Sequence, residues 1–104
     1  MHDTDIVRKF VEGCERHGMS CIVAEGVENK STVIRFDGVQ ENDCSLSVTI
    51  SAGRIVLHRI VGRITTAQPY DPQDVEEDFF ELLRNHYDTI ASLIKMRDKL
   101  LVFT

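Results

Sequence analysis

The first apolar positions of the chain recur every three or four residues, as they do along one side of an amphipathic helix. In DTDIVRKFVEGCERHG, residues 3–18, these positions are Ile6, Val7, Phe10, Val11 and Cys14. Asp3 suits the N-cap position, and Gly18 suits the residue that follows the helix C-terminus. The pattern predicts an N-terminal helix that buries one apolar side.

Four runs of strand-forming residues follow this helix. They are MSCIVAE, STVIRFD, CSLSVTIS and RIVLHRIVGRI, and the segments between them, GVENK, GVQEND and AG, contain residues that hairpin turns favour. The third run is the clearest strand, because apolar side chains alternate with hydroxyl side chains from Cys44 to Ser51. Short turns between consecutive runs predict an antiparallel meander.

The fourth run differs from the third because it is apolar on both faces. Alternation places Ile55, Leu57 and Val61 on one face and Val56, Ile60 and Ile64 on the other. We expect one face to pack against the helices and the other to contact a partner subunit or the following segment, which motivates a homodimer hypothesis. The residues predicted to bind a protein partner are Ile55, Leu57, Arg59, Val61 and Arg63.

A second helix is predicted to begin between the two prolines. Asp71 is a candidate N-cap, and Pro72 suits the first helical position because its missing N–H would have no helical partner there. The apolar side of this helix consists of Val75, Phe79, Leu82 and Leu83. The acidic residues in DVEEDFFE indicate that its other side is solvated.

The last twenty residues, NHYDTIASLIKMRDKLLVFT, fit two structures. Helical spacing continues through Ile90, Leu93, Arg97 and Leu100, which would extend the second helix towards the C-terminus. Against this, NHYDT is poor in helix formers, LLVFT is rich in strand formers, and RDK suits a turn. Such a helix would also measure about 40 Å, more than the width of a compact domain of this size. We therefore favour a C-terminal β-hairpin over a long C-terminal helix.

These elements predict a single α+β domain over residues 1–104. It has a two-layer architecture, in which an antiparallel sheet carries the N-terminal helix and the second helix on one face. The composition agrees, because 42% hydrophobic and 28% charged residues are close to the average for soluble globular proteins.

The charge of the chain bears on its partners and location. A net charge of −5 opposes binding to nucleic acid or anionic lipid, and the basic strip of residues 54–63 lacks the aromatic residues that stack on bases. No apolar run is long enough for a signal peptide or a membrane span. Three cysteines cannot all pair within one chain, which fits a reducing compartment. We predict a cytoplasmic protein with neither a membrane nor a nucleic-acid partner.

The residues that could carry chemistry form no known motif. A zinc site would need Cys14, His17 and Cys21 together with Cys44 or His58, but their spacing matches no common zinc motif, and packing in the core explains the cysteines more simply. His58 is expected in mid-strand and His86 at a helix end, with no nucleophile motif or phosphate-binding glycine loop nearby. We therefore predict a protein that is not an enzyme and that binds no cofactor or metal.

The segment FFELLRNHYDTIASLIKMRDKLLVF, preceded by SLSVTISAGRIVLHRIV, resembles the type III secretion chaperone-like fold, which includes YbjN-type bacterial regulators. In those families a leucine-rich helix leads into a hairpin, and Leu82, Leu83 and Asn85 stand at a comparable place. The chain differs by lacking the third helix that typically follows the hairpin. The resemblance implies a non-catalytic, chaperone-like protein-binding module.

The function expected from the sequence is that of a small protein-binding or regulatory module. It would engage an extended or helical segment of a partner through a sheet face or a sheet edge. Two alternatives remain, a self-assembling structural protein and a nucleic-acid-binding module that uses residues 54–63.

Overall fold

The computed structural model describes residues 3–25 and 31–103, with side chains described up to residue 100. Its elements are helix α1 (Asp3–Arg16), strands β1 (Cys21–Glu25), β2 (Thr32–Glu41), β3 (Cys44–Ser51), β4 (Arg54–Val61) and β5 (Ile64–Tyr70), a 3₁₀ turn (Pro72–Asp74) and helix α2 (Glu77–Phe103).

The five strands form one antiparallel sheet in the order β1-β2-β3-β4-β5, so strands that are consecutive in sequence are neighbours in space. In β3 the apolar residues from Cys44 to Ile50 are buried, and the hydroxyl side chains between them are half-buried. Both helices pack on this buried face, where α2 contacts β2 and β3 and α1 contacts β1 and β3. The predicted α+β class and the antiparallel meander are confirmed.

The core joins the two helices through aromatic rings. The Phe10 ring of α1 lies 5.9 Å from the Phe79 ring and 5.7 Å from the Phe80 ring of α2, in tilted and edge-on arrangements. A methyl group on Gly13 of α1 would overlap the Phe80 ring, so the absence of a side chain there lets the helices approach closely. These contacts fix the position of α2 on the sheet.

The fourth predicted strand, RIVLHRIVGRI, is divided in the structure. β4 ends at Val61, and the chain reverses at Gly62 and Arg63 into β5. Gly62 has a φ of 63° that glycine adopts without steric cost, and its N–H donates to the carbonyl oxygen of Asp43 at 2.7 Å. Ile64 therefore belongs to β5, where it lies opposite Val61 on the helix side of the sheet.

β2 is longer than predicted because it contains a bulge. Residues 38–41, expected in the GVQEND turn, belong to the strand, and the pairing with β3 is irregular between Arg35 and Gln40. Phe36 and Val39 lie within this irregular segment and are both fully buried. The bulge thus allows two large side chains to enter the core where regular alternation would turn one of them outward.

The predicted C-terminal hairpin is wrong, because α2 continues through 27 residues. Three tertiary contacts hold the segment in which the sequence suggested a break and a turn. The Tyr87 hydroxyl donates to the carbonyl oxygen of Asp37 at 2.8 Å, Ile90 is buried, and Arg97 forms ion pairs with Glu41 and Asp43. These contacts outweigh the weak intrinsic helix propensity of NHYDT, as tertiary packing commonly does.

The length of α2 also explains why the size argument for a hairpin fails. A helix of 27 residues measures about 40 Å, whereas the eight-residue strand β3 spans only about 27 Å. The molecule is accordingly elongated, with dimensions of 51 × 31 × 20 Å. The C-terminal part of α2 extends beyond the sheet, and Met96 and Leu100 are exposed there.

The residues that carry the family resemblance lie in this helix. Residues 79–103 form one continuous helix, whereas the chaperone-like families place a hairpin after the leucine-rich segment. The resemblance therefore has no support from this segment.

The predicted helix starts also differ from the observed ones. Asp3 lies in the first turn of α1, and its carboxylate accepts hydrogen bonds from the N–H groups of Ala52 and Gly53 at 3.1 and 2.9 Å, so it binds the β3–β4 turn. Asp71 precedes the 3₁₀ turn that begins at Pro72, and α2 begins only at Glu77.

Candidate protein-binding surface

The residues predicted to bind a partner lie on the helix side of the sheet, but they are not all accessible. Ile55 and Leu57 are 1% and 4% exposed and belong to the protein's own core, which corrects their assignment to a partner surface. Arg59 and Val61 are half-buried, and Arg63 is exposed in the β4–β5 turn. Only the second half of the predicted site is therefore open to a partner.

The opposite face of the sheet carries no helix within the described residues. Val56, His58 and Ile60 of β4 lie on it and are half-buried. Their neighbours across the strands are mostly small or bear hydroxyl groups, such as Ser47 and Ala67 beside His58. Since Ile64 points to the helix side, this face is less apolar than the sequence suggested.

Four exposed apolar side chains of α2 lie on one side of the helix, three of them close together near its C-terminal end and one three turns away, beyond Thr89 and His86. They are Leu82, Leu93, Met96 and Leu100, which are 41%, 39%, 60% and 65% exposed and which we call the α2 stripe. Successive helical residues turn by about 100°, so these four side chains fall within a sector of about 60° and span about 27 Å. The stripe lies roughly a quarter turn from the side of α2 that is buried against the sheet.

The α2 stripe faces the side of the molecule that carries β4 and β5. The Phe79 ring of α2 packs edge-on against Tyr70 of β5 at 4.8 Å, and His86 of α2 contacts Arg59 of β4. On the other side of α2, Phe80 stacks on His17, which follows α1, at 5.7 Å. The α2 stripe is therefore directed away from α1 and over the outer strands.

Part of the helix side of these outer strands is left open by the described helices. Its residues are Arg59, Ile64, Thr66 and Gln68, which we call the β4–β5 shelf; Ile64 and Gln68 are exposed and the other two are half-buried. The α2 stripe borders the β4–β5 shelf, and we call the open surface between them the groove, with the stripe and the shelf as its two walls. One wall is apolar and the other is mainly polar.

The contact between His86 and Arg59 joins the two walls. Arg59 donates from its guanidinium to Nδ1 of His86 at 2.9 Å, which requires that nitrogen to be unprotonated. Burial lowers the pKa of His86, and the positive charge of Arg59 lowers it further. Both effects favour a neutral histidine at this position.

The edge strand β1 is a second exposed apolar feature. Ile22 and Val23 are about half exposed, and β1 pairs with β2 on one side only. An open edge of this kind can accept an added strand from another chain. It is, however, only five residues long and ends beside the segment 26–30, which is outside the described residues.

A cleft of about 650 Å³ lies between α1 and the 3₁₀ turn. Its floor is apolar, with Phe10, Ile55 and Phe80, and its charged lining consists of Lys9, Glu12 and Arg16. Among the described residues that line it there is no cysteine, serine, threonine or histidine to act as a nucleophile or paired base.

The cysteines considered as zinc ligands separate into two groups. The thiols of Cys14 and Cys21 influence each other: Cys21, together with burial, raises the pKa of Cys14, and Cys14 lowers the pKa of Cys21, whose Sγ donates to the carbonyl oxygen of Met19 at 3.8 Å. Cys44 is buried elsewhere, against the carbonyl oxygen of Ile90. In the part of the chain that the structure describes, no group of three or more His, Cys, Asp or Glu side chains could hold a metal ion.

The structure also defines the surroundings of the two other histidines, His17 and His58. His17 contacts Glu77 through Nε2 at 2.8 Å, which together with a hydrogen bond from Arg16 lowers the pKa of that carboxyl group. His58 lies on the helix-free face between Ser47 and Ala67. Neither described environment combines a histidine with both a nucleophile and an orienting carboxylate.

The prediction of a C-terminal hairpin divides the residues of the α2 stripe between a helix and a hairpin, so the sequence does not identify the stripe as one surface. Its signal is present in the spacing of Leu93, Met96 and Leu100, which alternates three and four residues as in a coiled-coil seam.

Comparisons with known proteins give no relative for this chain: no family model, no curated protein and no solved structure matches it. Neither described helix is long and apolar enough to cross a membrane.

Proposed function

We propose that this protein is a non-catalytic protein-binding module that holds a helix of its partner in the groove between the α2 stripe and the β4–β5 shelf. The observation that carries the proposal is the exposure of four apolar side chains along one side of α2, beside outer strands that the described helices cover only in part. Exposed apolar side chains grouped beside a polar border are typical of protein interaction sites.

The shape of the groove favours a helical partner. Its apolar wall is straight, because it belongs to a single helix, and from Leu82 to Leu100 it is about five helical turns long. A partner helix with apolar residues at three- and four-residue spacing would pack its own stripe against this wall. Met96 is suited to such a contact, because its flexible side chain adapts to different surfaces.

The polar wall would contribute orientation. Arg59, Thr66 and Gln68 present hydrogen-bonding groups beside the apolar wall, and Thr66 already donates to the carbonyl oxygen of Arg59 at 3.4 Å. A partner helix would therefore lay a polar side on the β4–β5 shelf and an apolar side on the α2 stripe. This division makes one orientation of the partner more favourable than its reverse.

The proposal is tested by placing a photoreactive benzoylphenylalanine at position 96 of the full chain, expressed in its native cells. We expect a discrete crosslinked product that disappears when Leu93→Glu is added. The matched control carries the same group at position 22, on the exposed edge strand β1. Equal crosslinking at positions 22 and 96, or none at 96, would reject the groove, and a product at position 22 alone would identify the β1 edge as the binding site.

A further inference from the structure

We propose that the partner in this groove is a second copy of this chain, and that the two α2 helices pair antiparallel about a two-fold axis level with Ala91. This inference rests on the proposed function, because it assigns an occupant to the same groove. Two independent features of α2 support it, its apolar spacing and its charge distribution.

The apolar spacing of α2 is self-complementary in the antiparallel direction. Leu82 and Leu100 are 18 residues apart, which is five complete turns, so they lie on the same line along the helix. Reversing a second α2 about Ala91 places Leu82 opposite Leu100 of the second copy, Leu93 opposite its Thr89 and Met96 opposite its His86. The apolar pair of Leu82 and Leu100 thus forms twice, once at each end of the interface.

The charges beside the α2 stripe also favour an antiparallel pair. Glu81 and Lys99 are also five turns apart and lie on the same flank of the stripe, away from the protein's own sheet. Both are exposed, and neither forms an ion pair with another described residue. An antiparallel pair brings Glu81 of each copy beside Lys99 of the other, whereas a parallel two-fold pair would place the two copies of each residue on opposite flanks of the interface.

The two-fold arrangement also explains how the overhanging end of α2 is accommodated. Met96 and Leu100 extend beyond the sheet of their own chain, where no other described residue covers them. In the antiparallel pair, this end of each helix lies beside the N-terminal half of the other α2. Such an interface is closed, because each copy uses the same surface once and no further copy can add.

Sedimentation of the purified full chain over a range of concentrations tests the apolar part of the inference. We expect a reversible monomer–dimer equilibrium, and Leu100→Glu should raise the dimer dissociation constant about tenfold or more, because it places a charge against Leu82 of the other copy at both ends of the interface. Ile22→Glu is the control, since Ile22 is similarly exposed but lies on the opposite edge of the sheet, and it should leave the dissociation constant unchanged.

Charge reversal tests the antiparallel direction. Glu81→Lys and Lys99→Glu should each weaken the dimer several-fold, because each creates two like-charge contacts by symmetry. The double variant should recover the original dissociation constant. Asp98→Lys is the control, since it makes the same charge change as Glu81→Lys on the side of α2 away from the stripe.

A chain that stays monomeric at several hundred micromolar, or a double variant that does not recover, would overturn this inference. If the chain stays monomeric but position 96 crosslinks to a different protein, the proposed function still stands. If position 96 gives no crosslink at all, both the proposed function and the dimer inference are rejected. Because all the substituted residues are exposed, an unchanged circular dichroism spectrum and unfolding temperature in dilute solution would show that each variant remains folded.

Discussion

At the scale of single residues, the β3–β4 turn contains the one non-glycine residue with positive φ in the described ranges. Ala52 has a φ of 50° and Gly53 a φ of 75°, so both central residues of the turn are left-handed, as in a type I′ hairpin. Alanine is disfavoured there because its Cβ approaches the following carbonyl oxygen. The Asp3 carboxylate compensates by binding both turn N–H groups.

Replacing Ala52 should therefore stabilise the protein. Ala52→Asn creates the Asn-Gly pair that type I′ turns prefer, and we expect the free energy of unfolding to rise by about 1 kcal/mol. Urea denaturation measures the change. Gly53→Ala is the matched control and should lower stability, since it adds a Cβ at the second left-handed position; a loss of stability in Ala52→Asn would contradict this account of the turn.

His86 makes the stability of the protein depend on pH. Its pKa is lowered in the folded state by burial and by Arg59, so the unfolded chain binds the proton more readily as the pH falls through the ordinary histidine value of about 6.5. The contribution of neutral His86 is therefore complete above that pH and is lost progressively below it. His86→Gln keeps an acceptor for Arg59 without a titratable group.

We expect the wild-type protein to lose more stability than His86→Gln between pH 7.5 and about 5.5, measured by urea denaturation at several pH values. The lower limit keeps the carboxyl groups of Asp43 and Glu77 ionised, because their ion-pair partners lower their pKa values as well. Parallel stability profiles for the two proteins would show that His86 does not titrate as its contacts indicate.

The proximity of Cys14 and Cys21 should make the two thiols unequal in reactivity. The Cys14 thiol lowers the pKa of Cys21, and Cys21 is also the more accessible, whereas Cys14 and Cys44 are buried. Because the thiolate is the reactive species, we expect iodoacetamide to modify Cys21 first and at a lower pH than an ordinary cysteine.

Peptide mass spectrometry after brief alkylation between pH 6 and 9 measures this order. In Cys14→Ala the influence of the neighbouring thiol is absent, so the alkylation profile of Cys21 should shift to higher pH. An unshifted profile would mean that Cys14 does not stabilise the Cys21 thiolate.

At the scale of elements, the parts of the fold that the sequence predicts are those with a strong local period. The side of α1 that contains Phe10 and Cys14 and the alternation of β3 from Cys44 to Ile50 both appear as expected. β5 has no such period, because ITTAQPY is largely exposed at a sheet edge where Pro69 is tolerated.

The length of α2 is determined by contacts between residues far apart in sequence. Tyr87 reaches Asp37 and Arg97 reaches Asp43, so the local weakness of NHYDT does not decide its structure. The candidate site was predicted only in part for the same reason. Ile55 and Leu57 have the right alternation for a partner surface, but the position of α2 decides that they are buried while Arg59 remains near the groove.

Two adjacent leucines lie on different sides of α2, one on the side that packs in the core and one on the proposed binding side. Leu83 is fully buried in the core, and Leu82 is 41% exposed in the α2 stripe. Leu83→Ala should lower the free energy of unfolding by roughly 2–5 kcal/mol, because it removes buried methyl groups and leaves a cavity. Leu82→Ala should cost much less in a dilute, monomeric sample; equal losses would mean that the stripe is buried within the monomer. Urea denaturation of both variants at one low concentration makes the comparison.

At the scale of the whole molecule, the sheet and α2 differ in how much of their apolar surface the single chain can cover. The sheet core is closed by both helices, whereas α2 is longer than the sheet beneath it and keeps Met96 and Leu100 exposed. A second copy that covers these residues binds the folded chain and not the unfolded one. Folding and association are then linked by mass action.

The unfolding temperature of the wild-type protein should consequently rise with protein concentration, because dimer formation removes folded monomer from the unfolding equilibrium. Calorimetry or circular dichroism from a few micromolar to several hundred micromolar measures this rise. Leu100→Glu should show a smaller rise of the midpoint over the same concentrations, while Ile22→Glu should keep the wild-type concentration dependence. A wild-type midpoint that does not change with concentration would mean that folding is complete within one chain, and that the overhanging end of α2 gains no stability from a second copy.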